Sequence, residues 1–84
     1  MKTPTDHYVR DVLFELVHRA RAAREAVRTG KESGGSGQAE FEAGRAFAYY
    51  EVVSYMLQQL EAFQLPRGQY DVPDTFDPDE LLSP

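Results

Sequence analysis

The chain has 84 residues, of which 42% are apolar and 27% charged, with a net charge of −5. This length corresponds to one small domain. The absence of cysteine excludes disulfides, thiolate metal sites and cysteine nucleophiles. The acidic balance argues against a general nucleic-acid binder, because affinity for phosphates comes mainly from excess lysine and arginine.

The first six residues lack the apolar core of a signal peptide, and no apolar run approaches the roughly 18 residues that a membrane span needs. We therefore expect a cytoplasmic protein with no membrane partner.

The first predicted helix covers residues 4–29. Thr3 is its predicted N-cap, with Pro4 at the first helical position and Asp6 near the positive helix end. Gly30 is the predicted stop. Apolar residues spaced by three and four form one stripe along this helix: Val9, Leu13, Leu16, Ala20, Ala23 and Val27.

Residues 30–37 contain only glycine, serine and charged side chains. This composition predicts a flexible connector between two antiparallel helices. The segment lacks the glycine spacing and the Lys-Ser/Thr pair of a phosphate-binding loop.

The second predicted helix covers residues 38–63, contains no proline and keeps helical spacing throughout. Unlike the first helix, it is apolar around most of its circumference. Its predicted seam against the first helix consists of Ala46, Tyr49, Val53, Met56, Leu60 and Phe63. The predicted fold is therefore all-α, a two-helix antiparallel hairpin.

One neighbouring helix cannot cover the second helix, which carries six of the ten aromatic residues. Two hairpins related by a twofold axis would bury this surface in a four-helix bundle. We therefore predict a homodimer, with a docked tail or another protein as the alternatives. Gly44 is interpreted either as a close-packing contact or as a tolerated exposed glycine. The predicted interface comprises Phe41, Ala48, Tyr49, Val52, Val53, Tyr55, Met56, Leu60 and Phe63.

Residues 64–84 form a predicted acidic tail that holds four of the five prolines. We expect this tail to be extended apart from a short helical turn at 78–82, which Asp77 would cap. The tail resembles a short linear interaction motif that orders on binding a partner. Docking of the tail onto the hairpin is nevertheless the preferred interpretation, and binding of a partner or disorder are the alternatives.

Arginines collect along one edge of the first helix. The structural interpretation is that they complement the negative helix end and pair with acidic residues of the second helix. The functional alternative is binding of phosphate or RNA through Arg21, Arg24 and Arg28. The predicted outer contact surface combines Phe14, Arg21, Arg24, Arg28, Phe76, Leu81 and Leu82.

Glu15 and His18 have the Glu-x-x-His spacing of di-iron carboxylate bundles. Both are predicted to point away from the seam, so a solvated outer face is the preferred interpretation and a metal-dependent bundle enzyme the alternative. No serine, histidine and carboxylate set is brought together by a two-helix fold. We therefore predict no enzyme activity and no cofactor, and we expect a small adaptor or regulator that acts through protein–protein contact as a homodimer.

Overall fold

The computed structural model describes residues 2–32 and 36–82. Two long helices, α1 (Pro4–Glu32) and α2 (Ser36–Ala62), lead into two short 3₁₀ helices at Arg67–Tyr70 and Pro78–Leu82. The part of the chain that the structure describes contains no strand. The prediction of an all-α two-helix hairpin is therefore confirmed.

Both long helices extend further than predicted. α1 continues to Glu32 rather than ending at residue 29, and α2 begins at Ser36 rather than at residue 38. A glycine or serine inside a helix lowers its stability by at most about 1 kcal/mol per residue relative to alanine. Packing between two long helices offsets this loss, so the helices continue into the predicted connector. The predicted connector overlaps both helix ends, and its central residues 33–35 lie outside the described residues.

A reciprocal pair of hydrogen bonds begins α1. The Asp6 backbone N–H donates to Thr3 Oγ1 over 3.1 Å, and the Thr3 N–H donates to Asp6 Oδ2 over 2.9 Å. This arrangement is a capping box with aspartate in the position where glutamate is usual. The predicted N-cap at Thr3 is therefore present, and both of its hydrogen bonds are made with Asp6 in the first turn.

α2 ends in a left-handed turn at Gln64, two residues before Pro66. Gln64 has a φ of 58°, and its N–H donates to the Glu61 carbonyl over 3.0 Å. The Leu65 N–H donates to the Leu60 carbonyl over 2.8 Å. These two bonds form a Schellman motif, in which the left-handed position favours glycine.

Replacement of Gln64 by glycine is expected to raise the free energy of unfolding by up to about 1 kcal/mol, because glycine adopts a positive φ without steric cost. Urea denaturation monitored by circular dichroism measures the change. Gln58→Gly is the matched control, since this exposed glutamine lies inside α2. The control should instead lower stability by about 1 kcal/mol. If both variants changed the free energy of unfolding in the same direction, the left-handed conformation assigned to Gln64 would be contradicted.

The hydrophobic core lies where both helices meet the tail. Small residues on both helices, among them Ala23 and Ala39, are buried toward the connector. Tyr70 and Leu81 of the tail belong to the same buried cluster as residues of both helices. This cluster consists of Leu13, Ala20, Val53, Leu57, Leu60, Tyr70 and Leu81.

The buried face of α2 is rotated relative to the predicted seam. Leu57, absent from that seam, is buried, whereas Phe63 is exposed. Because α2 is apolar on most sides, a spacing of three and four residues can be traced along more than one stripe of this helix. The sequence pattern alone therefore does not identify the stripe that is buried. The position of the tail decides which stripe it is, because the tail covers the side of α2 that carries Leu57.

The tail crosses one side of the hairpin and is fixed there by polar contacts as well as by its buried residues. Arg67 Nη1 donates to the Phe76 carbonyl over 2.7 Å and closes the segment between the two 3₁₀ helices. The Tyr50 hydroxyl donates to Asp79 over 3.0 Å. The tail is therefore docked onto the hairpin in this structure. Leu81, predicted to be an outer contact, is 2% exposed because it completes the core.

Candidate interaction surfaces

α2 leaves a row of apolar side chains on its side away from α1. Phe41 is 65% exposed and Tyr55 is 61% exposed. Side chains spaced by three, four, seven or eight residues lie on the same side of a helix, and the apolar residues of this row have these spacings. We call this row the outer stripe, and it consists of Phe41, Ala48, Val52, Tyr55 and Phe63. An exposed apolar row of this length is typical of an interaction surface.

The predicted interface residues outside the outer stripe have a different role. Val53 and Leu60 are buried in the core of the chain itself. Tyr49 and Met56 are half-buried against that core. Val53 and Leu60 therefore hold α2 against α1 and the tail, and they are not accessible to a partner in this structure.

A groove lies between α1 and the tail, and its volume is about 570 Å³. We call it the tail groove. Phe14, which is 75% exposed, stands along its α1 side. The other apolar lining residues are Leu13, Val17, Val53, Leu57, Tyr70, Val72, Pro73 and Phe76. The charged lining residues are Arg10, Asp11, Arg21 and Asp71.

The arginines predicted as one strip have different environments. Arg10 Nη2 lies 3.1 Å from Asp11, and its Nη1 lies 3.9 Å from Asp71. Arg28 is bonded to Glu25. Arg21 lines the tail groove, and within the described residues it has no ion pair.

The remaining residues of the predicted outer contact surface are divided between the core and the groove. Phe76 is half-buried and lines the tail groove. Leu82 is half-buried beside Leu81. Arg24 is half-buried, and its Nε has no hydrogen-bond partner in the part of the chain that the structure describes. The groove itself was not predicted, because it forms only when residues 70–76 lie against α1.

Glu15 and His18 are both exposed on α1. Arg19 Nε donates to Glu15 Oε2 over 2.9 Å. This hydrogen bond lowers the pKa of the Glu15 carboxyl below its ordinary value. Across the described ranges, no group of three or more histidine, aspartate or glutamate side chains is placed to hold a metal ion. The predicted alternative of a metal site thus gains no further ligand from the fold.

The Asp6 carboxylate connects the start of α1 to the tail. Gln69 Nε2 donates to Asp6 Oδ1 over 2.9 Å, in addition to the Thr3 N–H that donates to the other oxygen. These bonds, the one from Thr3 first, hold the pKa of Asp6 below its ordinary value of 3.8. The sequence predicted the cap but gave no signal for the contact with Gln69.

The pKa of Asp6 is lower in the folded chain than in the unfolded chain, so the ionised carboxylate stabilises the native state at pH values above 3.8. This stabilisation is lost as the pH falls through the pKa that Asp6 has in the folded chain. We expect Asp6→Asn to melt at a lower temperature than the unchanged chain at pH 7. The difference should narrow as pH falls below 3.8. Thermal melts at a series of pH values measure it, and a difference independent of pH would contradict the assignment.

Neither α1 nor α2, over the residues described, has both the length and the hydropathy needed to cross a membrane.

No family model matches the chain, and no curated protein or solved structure matches it either.

Proposed function

We propose that this chain is a cytoplasmic adaptor or regulator that acts through protein–protein contact and works as a homodimer. The support comes from the outer stripe, which places three largely exposed aromatic rings and an exposed valine on a chain of 84 residues. Burying this surface against a second copy removes apolar area from water on both copies at once. The two hairpins would then form a four-helix bundle with α2 at its centre.

Side-chain sizes along the outer stripe favour an antiparallel pairing of α2 with its copy. With Val52 on the twofold axis, Ala48 lies within one residue of the position opposite Tyr55 of the partner subunit. Phe41 then lies opposite Phe63 of the partner subunit near each end. Large side chains meet small ones at the centre, as close packing requires. A parallel pairing would oppose two tyrosines and, two turns away, two alanines.

The solution mass tests the dimer directly. We expect light scattering over a concentration series to give a mass near twice 9.5 kDa. A mass near that of one chain at every concentration would overturn the homodimer.

Cysteine cross-linking tests the direction of pairing, since the chain has no cysteine of its own. An equal mixture of Phe41→Cys and Phe63→Cys proteins is expected to form the mixed disulfide dimer under mild oxidation. Ala48→Cys alone is expected to remain uncross-linked. A parallel dimer would give the reverse pattern, with efficient cross-linking of Ala48→Cys to itself.

Gly44 provides a second test, because it lies beside the outer stripe and a Cβ added there meets no atom within 4 Å. Gly44→Ala should stabilise α2 by up to about 1 kcal/mol. Gly44→Leu places a branched side chain at the proposed interface and should raise the dimer dissociation constant by about tenfold. Urea denaturation measures the stability of Gly44→Ala, and sedimentation equilibrium measures the dissociation constant of Gly44→Leu. An unchanged dimer mass and melting temperature in Gly44→Leu would contradict close packing at this position.

A further inference from the structure

We propose that the tail groove binds a small amphiphile with an anionic head and an apolar chain, of the class of medium-chain carboxylates. The groove does not depend on the proposed dimer. Leu57 lines the groove and Tyr55 belongs to the outer stripe, and these two residues lie about 160° apart around α2. A ligand in the groove would therefore leave the outer stripe free.

The dimensions of the groove suit a single extended chain. Its volume of about 570 Å³ falls within the range of roughly 300–1,000 Å³ that small-molecule sites occupy. Its charged lining residues run along α1 from Arg10 to Arg21, a distance of about 16 Å at the helical rise.

The lining supplies an apolar environment along most of this length. Val17 and Leu57 come from the two helices, and Val72, Pro73 and Phe76 come from the tail. Phe14 adds an exposed ring at the α1 edge, where it would close over an apolar chain. Because these side chains offer no hydrogen bonds, the part of the ligand that lies between them is apolar.

The two ends of the groove differ in charge. At one end the Arg10 guanidinium is already neutralised by Asp11 and Asp71. At the other end Arg21 has no ion pair within the described residues. Arg24 lies one turn further along α1, and its Nε is buried there without a hydrogen-bond partner among those residues.

This asymmetry orients the ligand. An anionic head would pair with Arg21, and the apolar chain would run toward Tyr70 and Val72. A cationic head would meet an arginine at that end, and a second anionic head would meet Asp11 and Asp71 at the other. The complementary ligand thus has one negative charge at one end of an apolar chain.

Isothermal titration calorimetry with decanoate, kept below its micelle concentration, tests the proposal. We expect saturable binding of one decanoate per chain. Affinity should fall through octanoate to hexanoate, by about fourfold for each methylene lost from the groove. Decyltrimethylammonium, with the same chain length and the opposite charge, should bind more weakly. Absence of saturable binding, or equal affinity for the cationic amphiphile, would overturn the proposal.

Two pairs of variants locate the head and the chain. Arg21→Gln should weaken decanoate binding by about twofold to fivefold, as expected for an exposed ion pair. Arg28→Gln, on the same helix but outside the groove, should leave it unchanged. Phe14→Ala should weaken binding by about tenfold through lost apolar contact, whereas Phe41→Ala on the outer stripe should not. All four side chains are exposed, and circular dichroism checks that each variant is folded.

Backbone amide shifts in two-dimensional NMR identify where decanoate binds. Shifts are expected in residues 10–21 and 70–76 and around Val53 and Leu57, which line the groove from α2. Shifts centred on Phe41, Ala48 and Phe63 would overturn the groove as the site, and so would tighter binding of an acidic apolar peptide than of decanoate. Neither result depends on the oligomeric state, so failure of this proposal is distinguishable from failure of the homodimer.

Discussion

Leu81→Ala is expected to lower the free energy of unfolding by about 2–5 kcal/mol, the usual cost of removing a buried leucine side chain. Leu81 is 2% exposed and joins Val53, Leu57 and Leu60 in the core. For a chain of this size, each kcal/mol corresponds to about 4–8 °C in melting temperature. Urea and thermal unfolding at one fixed protein concentration measure the loss, because a dimer makes apparent stability depend on concentration.

Leu82 is the matched control for this prediction. It has the same side chain at the adjacent position and is half-buried instead of buried. Leu82→Ala should therefore cost clearly less than Leu81→Ala. Equal losses would show that the tail contributes by its overall composition and not by one inserted side chain. No loss in either variant would contradict docking of the tail as the structure describes it.

Tyr55→Glu is expected to convert the proposed homodimer into a monomer. The outer stripe would then bring a carboxylate from each copy into an apolar interface, where burial of an unpaired charge is costly. We expect the dimer dissociation constant to rise by at least about 100-fold. Light scattering over a concentration series measures this change, and circular dichroism should show that helix content is retained, because Tyr55 is exposed in the single chain.

Gln58→Glu introduces the same carboxylate one turn further along α2, on an exposed position outside the outer stripe. This control should leave the dimer mass unchanged. If both variants dissociated to the same extent, the added negative charge on an acidic chain would explain the result. If neither dissociated, a surface other than the outer stripe would have to form the interface.

The two proposed surfaces have separate roles in a dimer. The outer stripe would be buried between the copies, and each tail groove would stay open on the side of its own hairpin where the tail lies. A dimer would then present two equivalent grooves. Occupancy of the groove would also stabilise the docked tail, because Val72, Pro73 and Phe76 contribute to its lining.

Local features of the chain were predictable because short-range chemistry decides them. Thr3 and Asp6 lie three residues apart, and a capping box needs no information from elsewhere in the chain. The short helix at Pro78–Leu82 is likewise local, since the Asp77 carboxylate accepts the Asp79 N–H over 2.9 Å. The apolar stripe of α1 was also predictable, because most apolar side chains of that helix lie on one face.

Features that join distant segments were not predictable in the same way. The rotation of the buried face of α2, with Leu57 inside and Phe63 outside, depends on where the tail lies. The bond from Gln69 to Asp6 joins residues 63 positions apart. The tail groove requires α1, α2 and residues 70–76 together, and no single segment carries a pattern that indicates it.

The sequence alone predicted two helices, the start of the first, the short helix at Pro78–Leu82 and an apolar excess on the second helix. Helical periodicity and capping act over a few residues, so these features are encoded locally. Which part of that apolar excess is buried depends on the packing of the tail against the helices. Tyr70 and Leu81 bury the Leu57 side of α2, and the outer stripe is left exposed because the tail can cover only one side of the hairpin.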